Sequence, residues 1–338
     1  MSANPIITIG LTTYNRLDLL REAVQSILNQ TYNDFVLLIG NDNPKILVTF
    51  ELLQIPWDDR IKILNYSTNI GEIANMNNLL KLSNTEWFTW MADDDAFHSQ
   101  FLEILVSTIT NQTSSISAIY SSYLASEKLE VGFFNSVKPS KSILFPPSEF
   151  IPKYVSRKIH LIGSYGLMRT EILKKFGGMP KLGSSFSPYS DTLIPILLAE
   201  FGPINYINTP LVFLRTHSES LSVISSSFEA YSTAETGFLS RLENTCQKIP
   251  KVSVHDCTFE MVRWFRDNEF SVISRNQSIS RIKVISSFIS YQLNVNLSRI
   301  KIKFWIKFLL ETLSLLFKVI KNSFLKKISK YTKVRHLY

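Results

Sequence analysis

Residues 6–40, IITIGLTTYNRLDLLREAVQSILNQTYNDFVLLIG, decide the fold. Two short apolar runs, 6–12 and 35–40, have the length and continuous hydrophobicity of strands buried on both faces. Between them Leu19, Leu20, Ala23, Val24, Ile27 and Leu28 recur at helical spacing. The unit is then repeated. A strand at 61–64 leads to a helix near 72–83, and a strand at 87–91 leads to a helical pattern through Phe101, Leu102, Leu105 and Val106. Successive βαβ units predict a mainly parallel sheet with helices on both faces. Ligands of such sheets collect at the carboxyl ends of the strands. The polar residues that follow each strand are therefore the candidates for function.

Beyond residue 110 the pattern is less regular. Ser/Thr clusters and the prolines at 139, 146 and 147 predict loops or a partly ordered insertion over 111–160. A second regular block follows, with a strand at 165–168, a helix at 170–175, a Gly177-Gly178 turn, a helix from Ser190 to Glu200 and a strand at 211–215. From 228 onward the chain reads as helical. The expected organisation is a catalytic domain over 1–225 and a helical C-terminal region over 226–338.

Composition narrows the class. Of 338 residues 45% are hydrophobic and 19% charged, which provides a sizeable core and excludes a disordered chain. Cys246 and Cys257 are too few for a disulfide scaffold or a multi-cysteine zinc site, and reduced, buried thiols suit a cytosolic protein. No basic, apolar leader precedes the first strand, so no export signal is expected. No uncharged apolar run reaches the ~20 residues of a spanning helix.

The net charge of +8 is a property of one end. Residues 275–338 hold 14 Lys/Arg against the single acid Glu311, leaving 22 of the 36 basic and 27 of the 28 acidic residues elsewhere. A uniformly basic, nucleic-acid-binding surface is thereby disfavoured. On a helical wheel Lys303, Lys307, Glu311, Ser314, Lys318 and Lys321 form a narrow polar stripe beside a wide face that includes Trp305, Leu309, Leu313 and Phe317. With Lys326, Lys327, Lys330, Lys333 and Arg335 beyond it, the segment 300–338 is expected to lie on an anionic membrane surface. The alternative is a helix packed on the protein itself.

Chemistry is concentrated after the strands. Asp93, Asp94 and Asp95 follow strand 87–91; three adjacent carboxylates repel one another unless exposed or neutralised by a divalent cation such as Mg²⁺ or Mn²⁺. They also suit a solvated acidic turn ahead of a helix. Asp42 follows the second strand within Asn41-Asp42-Asn43-Pro44, as an Asx-turn or as an acceptor for a nucleobase edge. In 69–77, NIGEIANMN, Gly71 permits close backbone approach, and Asn69, Asn75 and Asn77 supply polar groups around a helix start. Asp191 opens an apolar helix, either as a first-turn acid or as a general base. Arg215 and His217 end another strand, where the imidazole can meet a metal or a phosphate.

In this order and spacing the pieces resemble the family-2 glycosyltransferases of the GT-A fold. The resemblance rests on Thr12-Thr13-Tyr14-Asn15-Arg16, AVQSILNQTYNDF, Asp42, NIGEIANMN, EWFTWMADDDAF, the GS..LMR..IL..FGG run, Asp191 and PLVFLRTHSES, and covers about residues 5 to 222. It implies an α/β, GT-A type nucleotide-binding sheet with a helical C-terminal extension. It implies an inverting, metal-dependent transfer from a nucleotide sugar, typically a UDP-sugar, to a hydroxyl of a glycan or lipid-linked acceptor. That activity suits cell-surface polysaccharide synthesis on the cytoplasmic face of the membrane. By the resemblance, Thr12, Tyr14, Arg16, Asp42, Asn69, Asn75, Asp93 and Asp94 bind nucleotide or donor, Asp95 and His217 hold Mn²⁺ or Mg²⁺, and Asp191 is the acceptor-activating base. The chain departs from the family where Ser190 replaces a common Glu beside the base and where Asn43-Pro44 replaces a Gly-Ser after Asp42. A nucleotidyltransferase acting on sugar phosphates is a competing class, disfavoured because no glycine occurs in Thr12–Arg16. A membrane-docked binding protein without catalysis is another, disfavoured by the joint presence of Asp42, the acidic triplet, Asp191 and His217.

Overall fold

A computed structural model describes residues 6–112, 114–183, 187–217 and 228–275. Among them a nine-stranded mixed sheet organises the chain. Strands β1 (Ile7–Thr13), β2 (Phe35–Asn41), β3 (Ile61–Asn65) and β4 (Trp87–Ala92) lie in the order β3-β2-β1-β4, all parallel. Every residue of β1 is buried, as a strand covered on both faces requires. Helix α1 (Leu17–Leu28) turns Leu20, Ala23, Val24 and Ile27 inward, the face given by its sequence period. Helix α3 (Glu72–Leu82) comes so close to β1 and β2 that Gly40 has no room for a side chain; a Cβ there would stand 2.0 Å from Oδ1 of Asn75.

Past β4 the sheet turns antiparallel, so the parallel reading holds for its first half. Strands β6 (Ala118–Ser126) and β8 (Gly166–Arg169) continue it in the order β4-β8-β6, and β9 (Ile204–Arg215) runs parallel to β6. Short β5 (Ala96–Phe97) and β7 (Ile143–Phe145) pair antiparallel with β9. The segment 111–160, expected to be loop-like, thus supplies β6, β7 and a helix α5 (Pro147–Val155). The polar alternation of Ser121 and Ser122 hides a strand that gains its stability from pairing with β9 and β8.

The pairing of β5 with β9 has a functional consequence. It folds the acidic triplet, between β4 and β5, against the end of β9, where Arg215 and His217 lie. Helix α7 (Ser190–Ala199) packs beside α5, with the Tyr154 hydroxyl donating to the Thr192 carbonyl at 3.1 Å. The first compact unit extends to Val252, past residue 225, and includes the helix Phe228–Lys248, where Tyr231 meets Tyr189 edge-on and Lys248 pairs with Glu200 at 2.8 Å. The second begins at Ser253 and opens with the helix Val254–Arg275. The basic segment 300–338 lies outside the described residues. Among the described residues no helix is long and apolar enough to cross a membrane.

Candidate active site

Each strand of the parallel half delivers polar groups at its carboxyl end. After β1, Asn15 takes a left-handed φ of 63°, a conformation its short polar side chain tolerates, and turns the chain into α1. The turn leaves Thr13, the Tyr14 amide and Arg16 facing the triplet. The Tyr14 side chain is exposed, and Thr12 is buried in register between Gly40 and Ala92.

The three carboxylates coexist because each has different partners. Asp93 is fully buried and accepts from the Thr13 hydroxyl at 2.6 Å and the Tyr14 N–H at 3.3 Å; Arg16 Nη2 stands 2.6 Å from its other oxygen. Arg16 Nη1 pairs with Asp94 as well. The guanidinium therefore bridges two carboxylates, one through each terminal nitrogen, by charge-assisted hydrogen bonds. Asp94 also meets Nε2 of His217 at 3.1 Å, and its main-chain carbonyl accepts from Arg215 Nε at 2.9 Å. Asp95 points away from this pair. Its Oδ2 accepts from the buried Tyr165 hydroxyl and its Oδ1 from the Arg215 N–H at 2.8 Å. Burial pushes the Asp93 carboxyl up to about 6 against the pull of Arg16 and Thr13. Burial, and then the Asp94 charge, push Asp95 to about 8.

The metal-ligand reading of Asp95 thus meets a carboxylate that is 3% exposed with both oxygens committed to the protein. Asp94 is the member of the triplet that faces His217. Among the described residues no group of three His, Cys, Asp or Glu converges as a ready-made cation site. A carboxylate and an imidazole together suit a divalent cation whose other ligands come from substrate phosphates and water. The donor set fits an ion shared with a diphosphate, not one caged by protein.

Asp42 and the 69–77 segment form a second cluster. The Asp42 carboxylate is buried and accepts from the Ile70 N–H at 2.7 Å and the Gly71 N–H at 2.8 Å. Asn69 Oδ1 also accepts from the Gly71 N–H, at 3.0 Å. Gly71, with φ 86°, supplies the left-handed turn that sends the chain into α3. Asn75 sits beneath this cluster rather than at its surface: it is 1% exposed and its Nδ2 donates to the Gly40 carbonyl at 2.7 Å. Its role in the structure is to fix α3 against β2.

Asp191 lies in the first turn of α7, after two left-handed residues, Ser187 and Tyr189. Burial raises its pKa, with opposition from the Thr192 hydrogen bonds and the Arg157 charge. Glu72, a residue without a sequence signal of its own, links the two sides. Its carboxyl is pushed up to about 7, first by the desolvating cleft wall and then by the charge of Asp94, with Asp191 and Asp93 adding and Arg16 opposing. Water still reaches the Glu72 side chain, which moderates the rise. Tyr165 and Arg157, like Glu72, were not legible as site residues, because only folding brings them to the carboxylates.

A nucleotide-type α/β sheet, with a charged cluster at the strand ends and a lone carboxylate opposite, defines a group-transfer enzyme of the GT-A kind. The chain belongs to glycosyl transferase family 2, whose model matches residues 8–177, half of its length, and it is a glycosyltransferase. It is 23% identical over 270 residues to an uncharacterized glycosyltransferase of Rickettsia typhi, covering 79% of this chain and 82% of that one. It is 33% identical to the GalNAc(5)-diNAcBac-PP-undecaprenol beta-1,3-glucosyltransferase of Campylobacter jejuni, over 30% of this chain and 34% of that enzyme. The fold is similar to that of S. aureus TarS 1–349 in complex with UDP-GlcNAc, with a TM-score of 0.59 at 13% identity over 84% of this chain and 81% of that one.

Proposed function

We propose that this glycosyltransferase is inverting and metal-assisted, and that it moves a sugar from a UDP-sugar to a hydroxyl of a glycan or lipid-linked acceptor in cell-surface polysaccharide synthesis. One observation carries the reading: at the carboxyl ends of the strands Arg16 bridges Asp93 and Asp94, and His217 meets Asp94 from the end of β9, which groups charge suited to a diphosphate. The similarity to TarS bound to UDP-GlcNAc and to a glucosyltransferase named for an undecaprenol-linked substrate supports the donor and acceptor classes.

In this reading Asp42 accepts a hydrogen bond from the uracil edge, while Thr12, Tyr14 and Asn69 line the nucleoside pocket. Asp93 holds the β1–α1 turn through Thr13, Tyr14 and Arg16. Asp94 and His217 would hold Mn²⁺ or Mg²⁺, which supplies positive charge for the departing diphosphate. Arg16 adds a fixed cation beside it. Asp191 takes the proton from the acceptor hydroxyl, and its burial-raised pKa makes it a stronger base than an exposed aspartate. Asp95 ties the triplet to β9 and Tyr165. The 14 basic residues of 275–338 support attachment to an anionic membrane on the cytoplasmic side.

The test is a nucleotide-sugar panel with Mn²⁺ or Mg²⁺, scored by release of nucleoside diphosphate. Asp191→Asn should lower transfer by about 10²–10⁴-fold, the usual worth of a general base, with UDP affinity unchanged. Retained transfer would move the base to another acid. An equal loss of UDP affinity would place Asp191 on the donor side.

A further inference from the structure

Helix α5 ends in an arrangement that favours glycine, and the residue there is arginine. Ser156 is the last half-helical residue, Arg157 N–H bonds to the Tyr154 carbonyl at 3.0 Å, and Lys158 N–H bonds to the Lys153 carbonyl at 2.9 Å. These two bonds make a Schellman motif, whose left-handed position is usually glycine because a Cβ is penalised there. Arg157 occupies it at φ 59°. A long side chain held in a sparsely populated conformation points to a local demand that outweighs backbone preference.

The surroundings identify the demand. The Arg157 guanidinium lies 5.9 Å from the centre of the Tyr154 ring, and the Tyr154 hydroxyl bonds to Thr192, the residue after Asp191. The connection that begins at Arg157 passes directly under Asp191: Gly163 lies against the Asp191 carbonyl, and the Gly163 carbonyl accepts from the Tyr120 hydroxyl at 3.1 Å. Both flanks of the connection are thus fixed to α7 or to the core strand β6. We propose that Arg157 is a positioning residue for Asp191, set against the Tyr154 ring whose hydroxyl anchors the first turn of α7.

Among the described residues few groups face Asp191. Tyr154 from α5 and Tyr120 from β6 are buried phenols whose own pKa values are raised by burial, so they stay neutral; Glu72 from α3 is acidic. Thr192 contributes a hydroxyl at 3.4 Å. Arg157 is the cation that opposes desolvation of Asp191, and Asp191 with Tyr154, Tyr123 and Tyr189 in turn opposes the loss of charge on Arg157. Without that cation the carboxylate would hold its proton to higher pH, leaving a smaller ionised fraction able to accept a proton from a substrate.

The inference rests on the general-base reading of Asp191, so the experiment separates the two. Full-length protein carrying ¹³Cγ-aspartate is titrated by NMR, with the Asp191 resonance assigned by its loss in Asp191→Asn. Arg157→Gly should leave the melting temperature equal to or above that of the wild type, since glycine suits the position. It should shift the Asp191 midpoint up by about one pH unit or more, the effect of a nearby arginine. Arg157→Lys should titrate close to wild type. Unchanged Asp191 midpoints in Arg157→Gly would overturn the proposal. So would a fall in melting temperature in both variants with no midpoint shift, which marks a purely structural role. Nucleoside diphosphate release by Asp191→Asn is measured separately. Full release there sinks the base reading whatever the NMR shows, whereas abolished release with unmoved midpoints sinks the Arg157 pairing alone.

Discussion

Gly163 is packed against the main chain of Asp191 so tightly that a Cβ at 163 would stand 1.8 Å from the Asp191 carbonyl oxygen and 2.9 Å from Cδ of Pro195. The obstacle is backbone on one side and a proline ring on the other, so no rotamer change relieves it. Gly163→Ala should displace the start of α7 and cost about 1–3 kcal/mol. Transfer should be lost while UDP binding, which the proposed function places at Asp42 and the β1 end, persists. Denaturant unfolding and UDP calorimetry on the same variant check both halves.

Asp94 and Asp95 should separate cleanly when each is changed to alanine. Asp95→Ala strands the buried Tyr165 hydroxyl and the Arg215 N–H, each a loss of about 1–3 kcal/mol, and should lower the melting temperature. Asp94→Ala removes a carboxylate from a repelling triplet, so it should leave the melt near wild type while weakening Mn²⁺-dependent UDP binding. Equal melts for the two variants would contradict the division of labour.

The raised Asp191 carboxyl sets a pH dependence of stability. The unfolded chain releases this proton near ~3.9, as ordinary aspartates do, whereas the folded protein holds it to higher pH. Between those values the folded state binds the extra proton, so its contribution to stability is greatest at acid pH and is lost as pH rises through the window. Asp191→Asn has no such titration. Its melting temperature should therefore gain on the wild type as pH rises above the ordinary aspartate range, a stabilisation bought with activity.

In the proposed function Glu72 places a negative charge near the donor diphosphate. With its carboxyl raised to about 7, it is largely neutral at pH 6 and charged at pH 8. Glu72→Gln should tighten UDP binding by about two- to fivefold at pH 8, the scale of one solvent-screened charge pair, and leave it unchanged at pH 6. Calorimetry at the two pH values reads the difference directly.

The sequence by itself determined the parallel half of the sheet and most of the polar groups at its edge. Ile7–Leu11 and Phe35–Ile39 are apolar on both faces, and Leu20, Ala23, Val24 and Ile27 keep helical period, so local pattern and tertiary burial agree. The acidic triplet, Asp42 and His217 follow strands, and strand ends are where such sheets expose their groups. The rest was decided by long-range contact. Strand β6, interrupted by Ser121 and Ser122, is a strand because β8 and β9 flank it, a pairing no local propensity encodes. Tyr165 reaches Asp95 across 70 positions of chain, and Arg215 across 120, so which member of the triplet faces the cleft was fixed only when those donors claimed both Asp95 oxygens. Glu72 lies within the 69–77 motif without being singled out by it, and Arg157 belongs to no motif. Their importance comes from the field at one point in space, which sums charges from α3, α5, α7 and the β4–β5 turn and exists only in the folded chain.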